Sequence, residues 1–120
     1  MVVHTVPPPA SGAILVTILK LMDMLVSNSG VGDNLFYQRL MESFKWAYGA
    51  RTRLGDPTDE EYRDSIKMVV KEMTSKDWAY DKFTKIYDTK TVNDTDYYGA
   101  SFYNMDDFGT AHLSVVDQGA

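Results

Sequence analysis

The 120-residue sequence predicts an α+β chain that is mostly helical, with one short strand near each end. Three observations predict it. Between residues 12 and 87, apolar residues recur every three or four positions in four separate segments, the period of a helix with one buried face. Ala111, Leu113 and Val115 alternate with His112 and Ser114, the period of a half-buried strand. Val2, Val3 and Val6 around Thr5 make a β-branched start that Pro7-Pro8-Pro9 ends, because three prolines remove three backbone donors and hold the chain extended.

After the prolines, Ser11 is placed to cap a helix from Gly12 to about Ser27. Ile14, Leu15, Ile18, Leu19, Met22, Leu25 and Val26 form its apolar stripe, which reads as core packing. The turn-rich run 28–34 separates it from a second helix, Leu35 to about Arg53, with Phe36, Leu40, Phe44, Ala47 and Tyr48 at helical intervals. Gly55-Asp56-Pro57 is expected to end that helix, with Gly55 as a left-handed cap. Ser65 to Met73 reads as a short helix with Ile66, Val69, Val70 and Met73 inward. Thr74-Ser75-Lys76-Asp77 carries a capping signal for a last helix, to about Tyr87, that buries Trp78, Ala79, Phe83 and Ile86. From Asp88 to Asp107 the chain is polar with interspersed aromatics. A loop of that length is functional or mobile more often than idle.

Composition narrows the function classes. Hydrophobic residues at 44% and charged ones at 24% argue against disorder in the middle of the chain. The absence of Cys removes disulfides and thiolate metal sites, and His4 and His112 have no metal-ligand spacing. The net charge of −5 is divided unevenly, +2 over residues 1–54 and −7 over residues 55–120, so no basic footprint for nucleic acid exists. Lys20 and Asp23 interrupt the best apolar run, and residues 1–7 lack the pattern of a signal peptide. Asp56, Asp59, Glu60, Glu61 and Asp64 lack the regular ligand positions of a calcium loop and read as solvated surface. Arg51 and Arg53 are candidates to hold a substrate carboxylate, but pairing with acidic groups of the chain itself is the stronger reading. Trp78 reads as core before it reads as a ligand platform. Asn93-Asp94-Thr95 is an N-glycosylation sequon, meaningful only in a secretory compartment.

The chemistry-bearing stretch is 106–116, where a Gly109-Thr110 bond precedes the alternating run. Glycine offers little hindrance to attack on its carbonyl and tolerates strained backbone angles. A threonine freed at a chain start has its own amine beside its hydroxyl, one way to activate a weak nucleophile. His112, two residues on, shares the strand face of Thr110, as Ser114 does one step further. His112 is a candidate to tune the nucleophile, although a structural histidine satisfied by a hydrogen bond is the stronger alternative.

Gly109-Thr110-Ala111-His112-Leu113-Ser114-Val115-Val116 closely resembles the processing site of the γ-glutamyltranspeptidases, or glutathione hydrolases. Pro7-Pro8-Pro9-Ala10-Ser11-Gly12 resembles a second block of the family. Phe44-Lys45-Trp46-Ala47-Tyr48-Gly49-Ala50-Arg51-Thr52 with Leu54-Gly55-Asp56-Pro57 resembles a third, and Met73-Thr74-Ser75 is a weaker fourth. The resemblance implies an N-terminal-nucleophile hydrolase with an αββα sandwich, of which this stretch is a fragment across the subunit junction. Residues 1–109 would be the C-terminal part of a large-subunit-like region and residues 110–120 the start of a small-subunit-like one. It implies self-cleavage between Gly109 and Thr110, then attack by Thr110 on the γ-glutamyl bond of glutathione or a related compound. The acyl group passes to water or to an amino-acid or peptide acceptor, with no cofactor and no metal. The partners implied are the remainder of the large and small subunits, and the location implied is the extracellular side of the plasma membrane. The family's substrate-carboxylate Arg and its oxyanion-hole residues match nothing here, so the isolated stretch is expected to be inactive. The alternative is a non-catalytic truncated homologue or a helical interaction module.

Overall fold

The computed structural model describes residues 3–26, 32–55, 58 and 60–101. Four helices follow in order, α1 Gly12–Val26, α2 Asp33–Arg51, α3 Arg63–Met73 and α4 Lys76–Phe83. α1 is the central element, packed chiefly along α2 and then against α4.

α1 forms because its apolar residues keep helical spacing without a Gly or Pro inside the run. Ile14, Ile18, Leu21, Met22 and Leu25 are buried, with Trp46 and Ala47 of α2, Met73 of α3 and Trp78 and Ala79 of α4 in the same core. Leu15 and Val26, expected in the stripe, stay more than a third exposed. Thr17 takes a place in that face instead and is fully buried. Its hydroxyl donates to the Ala13 carbonyl (2.8 Å) and the Met73 carbonyl (3.0 Å), and Lys20, one turn on, donates to the Thr74 carbonyl. α1 thereby supplies donors to the last carbonyls of α3, groups that a helix C-terminus leaves without intrahelical partners.

The expected strand at the N-terminus does not form among the described residues. Residues 3–6 run as an arm without a ladder, with Val3 and Val6 exposed. A strand needs a partner edge for its N–H and C=O groups, and the described residues contain no second strand. The arm lies on the start of α1, so close that a Cβ on Gly12 would sit 2.0 Å from the Val6 carbonyl oxygen. Only glycine admits that approach. The second expected strand, over Ala111–Val115, lies outside the described residues.

α2 departs from expectation in the face that it buries. The aromatic stripe of Phe36, Phe44 and Tyr48 is at least a third exposed, and Tyr37 and Met41 more than half. The buried face carries Glu42, Ser43, Trp46, Ala47, Gly49 and Ala50. Small residues allow the closest approach of another backbone, and Trp46 provides the apolar volume. Tyr37, Met41, Phe44 and Tyr48, spaced four, three and four residues apart, therefore form an outward apolar stripe. An open groove of about 790 Å³ between α1 and α2, lined among others by Leu19, Met22, Phe36 and Leu40, lies beside it.

α2 also ends earlier than expected. The Thr52 hydroxyl donates to the Gly49 carbonyl (2.7 Å), and Thr52, Arg53 and Leu54 close turns on residues 49–51. Gly55 does not adopt the left-handed conformation, so it is not the cap. α3 and α4 bury the expected residues, Ile66 and Met73 in α3 and Trp78 and Ala79 in α4. Ser75 caps α4 by accepting from the Trp78 N–H (3.1 Å). α4 stops at Phe83 rather than Tyr87, because the Thr84 hydroxyl turns back on the Asp81 carbonyl (2.8 Å) and residues 84–86 continue as turns. Among the described residues, no helix is long and apolar enough to cross a membrane.

Candidate functional site

Gly109, Thr110 and His112 lie outside the described residues, as do Ser114 and the acidic pair Asp106-Asp107. The chain that leads to them is described as far as Ser101, and it is held. Residues 87–101 run along α2 in the same direction as the helix. Gln38, Glu42, Lys45, Gly49 and Thr52, spaced four, three, four and three apart, form the stripe on which they lie.

The contacts begin at Gln38, whose side-chain amide donates to the carbonyls of Lys90 (3.0 Å) and Tyr87 (3.3 Å). Arg39 presents its guanidinium fork to Asp88, with both N–H···O distances 2.8 Å. The hydrogen bonds from Arg39 hold the Asp88 carboxyl below the ordinary aspartate range, and the same bonds raise the Arg39 guanidinium. Arg39 also donates to the Leu25 carbonyl, so one side chain joins α1, α2 and the loop.

One turn further, Glu42 is 2% exposed. Tyr98 Oη donates to its Oε2 (2.9 Å) and Thr91 Oγ1 to its Oε1 (2.6 Å), while Lys45 Nζ stands 3.6 Å from Oε1. Lys45 also donates to Thr91 Oγ1 and lies 5.3 Å from the centre of the Tyr98 ring. The Val92 N–H closes the network by donating to Tyr98 Oη (3.1 Å). Two hydroxyl donors and a cation are what an ionised carboxylate needs to stay buried. Tyr97 and Tyr98 pack on Trp46 with ring centres 5.3 and 5.2 Å away, and Tyr97 Oη donates to the Lys85 carbonyl (2.8 Å). Burial, then the neighbouring Tyr87, pushes the Tyr97 phenol up.

At Gly49 the loop backbone touches the helix. A Cβ there would lie 2.1 Å from the Tyr98 carbonyl oxygen. Beyond it, the Ser101 N–H donates to Thr52 Oγ1 (2.9 Å), so the last described residue is fastened to the end of α2. A cavity of about 500 Å³ between Lys45, Tyr48 and Gly49 on the helix and Val92–Thr95 on the loop lies against this contact. Asn93, of the sequon, is exposed on its rim.

The other sequence candidates fall elsewhere. Arg53 pairs with Glu72, an acidic group of the chain itself, at 3.2 Å, and Arg51 lies over the Tyr48 ring. Glu60 and Asp64 are at the surface, paired three residues on with Arg63 and Lys67. Trp78 is core, 8% exposed, with Lys82 over its ring. Glu42 went unnoticed in the sequence. Its signal was a polar residue inside the Gln38-Glu42-Lys45 spacing, beside the two small residues Gly49 and Ala50.

With this geometry in place, comparison with known proteins is decisive. A profile described as gamma-glutamyltranspeptidase matches residues 1–120. The chain belongs to the γ-glutamyltranspeptidase family. Glutathione hydrolase 2 of Arabidopsis thaliana is 38% identical over 92% of this chain, which covers 19% of that protein. Scoloptoxin SSD14 of Scolopendra dehaani is 39% identical over 98% of the chain and 20% of its own length. A glutathione hydrolase of Aspergillus flavus is 32% identical over 91% of the chain and 18% of its own length. The chain thus spans about a fifth of the length of the curated relatives it matches. Within this family member, the α2 platform is the surface on which residues 87–101 lie.

Proposed function

We propose that these residues are the subunit-junction region of a glutathione hydrolase and γ-glutamyl transferase, with Thr110 as its nucleophile. The observation that carries the reading is the family match across residues 1–120, within which the run Gly109–Val116 stands unbroken. Residues 1–109 are then the end of the large-subunit-like region and residues 110–120 the beginning of the small one. The Thr110 hydroxyl attacks the Gly109 carbonyl carbon, and the acyl group moves from nitrogen to oxygen. Water hydrolyses the ester, leaving a carboxylate on Gly109 and a free amine on Thr110. The same hydroxyl then attacks the γ-carbonyl of a γ-glutamyl compound, glutathione above all, with that amine as base. The substrate's amine half leaves, and the γ-glutamyl ester passes to water or to an amino-acid or peptide acceptor. One covalent intermediate shared by two half-reactions predicts ping-pong kinetics. His112, two residues after Thr110 in sequence, is the candidate to tune the nucleophile, and a structural histidine is the stronger alternative.

The reading also gives the outward stripe Tyr37, Met41, Phe44 and Tyr48 an occupant, the remainder of the large and small subunits. An apolar face of this kind on a soluble chain marks an interaction surface. The isolated 120 residues are accordingly inactive in turnover. The location that goes with the family reading is the extracellular face of the plasma membrane. Intact mass of the purified protein after prolonged incubation, with Thr110→Ala beside it, tests the first act. In the protein with both subunits, a wild-type split between Gly109 and Thr110 that the variant lacks is expected, followed by γ-glutamyl anilide hydrolysis, whereas the isolated 120 residues are expected to stay whole. An unbroken wild-type protein with both subunits present would remove Thr110 as nucleophile.

A further inference from the structure

We infer that Glu42 is a positioning residue for the self-cleavage, and that it acts through Tyr98 and Thr91; the inference rests on the Thr110 reading. A buried carboxylate without a function of this kind is a poor use of a helix face, since desolvation opposes it and an apolar residue would pack as well. Glu42 is buried on the face of α2 that carries the loop, and two of its three polar neighbours, Thr91 and Tyr98, belong to that loop. They stand seven residues apart in sequence, so one carboxylate gathers both ends of the 91–98 segment. The third neighbour, Lys45, is on α2 and braces Thr91.

The consequence reaches the junction through a short span. Tyr98 opens the turn in which the Tyr98 and Ala100 N–H groups donate to the Thr95 carbonyl, at 3.1 and 3.2 Å. One residue later Ser101 is fastened to Thr52. Seven residues separate Ser101 from Gly109. The network ends at Ser101, where that span begins. Attack of a hydroxyl on the preceding carbonyl depends on near-attack geometry, and misplacement by about 1 Å can cost roughly 100-fold in rate. Among the described residues Glu42 contacts Tyr98, Thr91 and Lys45, and through them it fixes the chain that runs on to the reacting segment.

Three variants of the intact protein test this. Glu42→Ala removes the acceptor for both hydroxyls. Tyr98→Phe keeps the ring on Trp46 but loses the hydroxyl, and stands in if Glu42→Ala fails to fold. Glu42→Gln keeps an oxygen acceptor and offers an amide to the second hydroxyl, so it is the conservative rescue. The readouts are the rate of cleavage at 109–110 by intact mass and amide exchange of the Val92 and Ser101 N–H groups against those of α1. Glu42→Ala and Tyr98→Phe are expected to slow cleavage by about tenfold or more and to speed exchange at Val92 and Ser101 while α1 keeps its protection; Glu42→Gln should recover most of both. Cleavage of Glu42→Ala and Tyr98→Phe at the wild-type rate overturns the inference. So does an equal loss of protection in α1, the mark of a residue that only stabilises the fold. An uncut wild-type protein overturns the Thr110 reading, and the inference with it. The wild-type sample thus separates the two failures.

Discussion

Thr17→Val is the sharpest test of how the helices are joined. The side chain keeps its shape and loses only its hydroxyl, which is fully buried between α1 and the end of α3. The Ala13 carbonyl is one turn earlier in the same helix and retains the backbone N–H of residue 17 as partner. The Met73 carbonyl, at the last residue of α3, loses the 3.0 Å donor it receives across the interface. A buried acceptor left without a partner costs about 1–3 kcal/mol. The methyl that replaces the hydroxyl returns about 0.8 kcal/mol of apolar burial. The balance is a destabilisation of about 0.2–2 kcal/mol, centred on ~1 kcal/mol, which at a urea slope of roughly 1–2 kcal/mol per molar lowers the midpoint by roughly 0.5–1 M. Equilibrium urea unfolding followed by far-ultraviolet circular dichroism measures it. Thr17→Ser, which keeps the donor and loses the methyl, separates the two contributions. A Thr17→Val midpoint equal to or above wild type would refute the reasoning, because it would mean that the α3 terminus does not depend on α1 for its donors.

Other outcomes follow from the same packing. The folded-state pKa of Asp88 is lowered, so the Arg39–Asp88 pair contributes fully above the ordinary aspartate value of 3.8 and is lost as pH falls through the lowered one. Asp88 is half-exposed, so Asp88→Asn at neutral pH should cost only about 0.5–1 kcal/mol, read by urea unfolding, and the loss should vanish in strong acid. Gly49→Ala gains about 1 kcal/mol of helix propensity but drives a methyl into the Tyr98 carbonyl; a net loss of about 1–2 kcal/mol and faster exchange at Ser101 are expected. Tyr37→Lys with Met41→Lys, both more than half exposed, should leave the unfolding midpoint of the isolated chain within about 0.5 kcal/mol of wild type and reduce its self-association in sedimentation velocity.

Much of the helical skeleton was legible because it is local. α1, α3 and α4 carry their apolar residues at helical spacing, and Ser75 stands where a cap is needed. α2 shows where that reasoning fails. Its most hydrophobic stripe, with Phe36, Phe44 and Tyr48, is what periodicity selects, yet the face that packs within these residues is the one with Glu42, Ser43, Gly49 and Ala50. Periodicity finds faces that exclude water; it does not say whether the partner is inside the chain. When about four-fifths of the relatives' length lies elsewhere, a strongly apolar face can await a partner that these residues do not contain. The N-terminal strand failed for a related reason, since alternation in residues 2–6 says nothing about a pairing edge.

The same distinction governs the site. The proposed nucleophile, Thr110, rests on eight consecutive residues, Gly109 to Val116, a local motif. The network that holds residues 87–101 on α2 was not readable, because it depends on pairs 49 and 56 residues apart, Thr91 and Tyr98 with Glu42. A polar loop beside a polar helix position looks like solvated surface until the fold shows Glu42 and Tyr98 buried together. Within that loop the tyrosine rings cover Trp46, and the Tyr98 and Thr91 hydroxyls satisfy a carboxylate that would otherwise be costly to bury. The length of the polar stretch was therefore the informative feature. An idle loop between α4 and the junction would be short, whereas this one runs beside α2 from Gln38 to Thr52, about 21 Å of helix, and is held at both ends. A segment fastened to α2 at residues 87–91, at Tyr98 and again at Ser101 is held by more than its charged surface, which is the reason to look for consequences at Glu42 rather than at the charged surface residues around it.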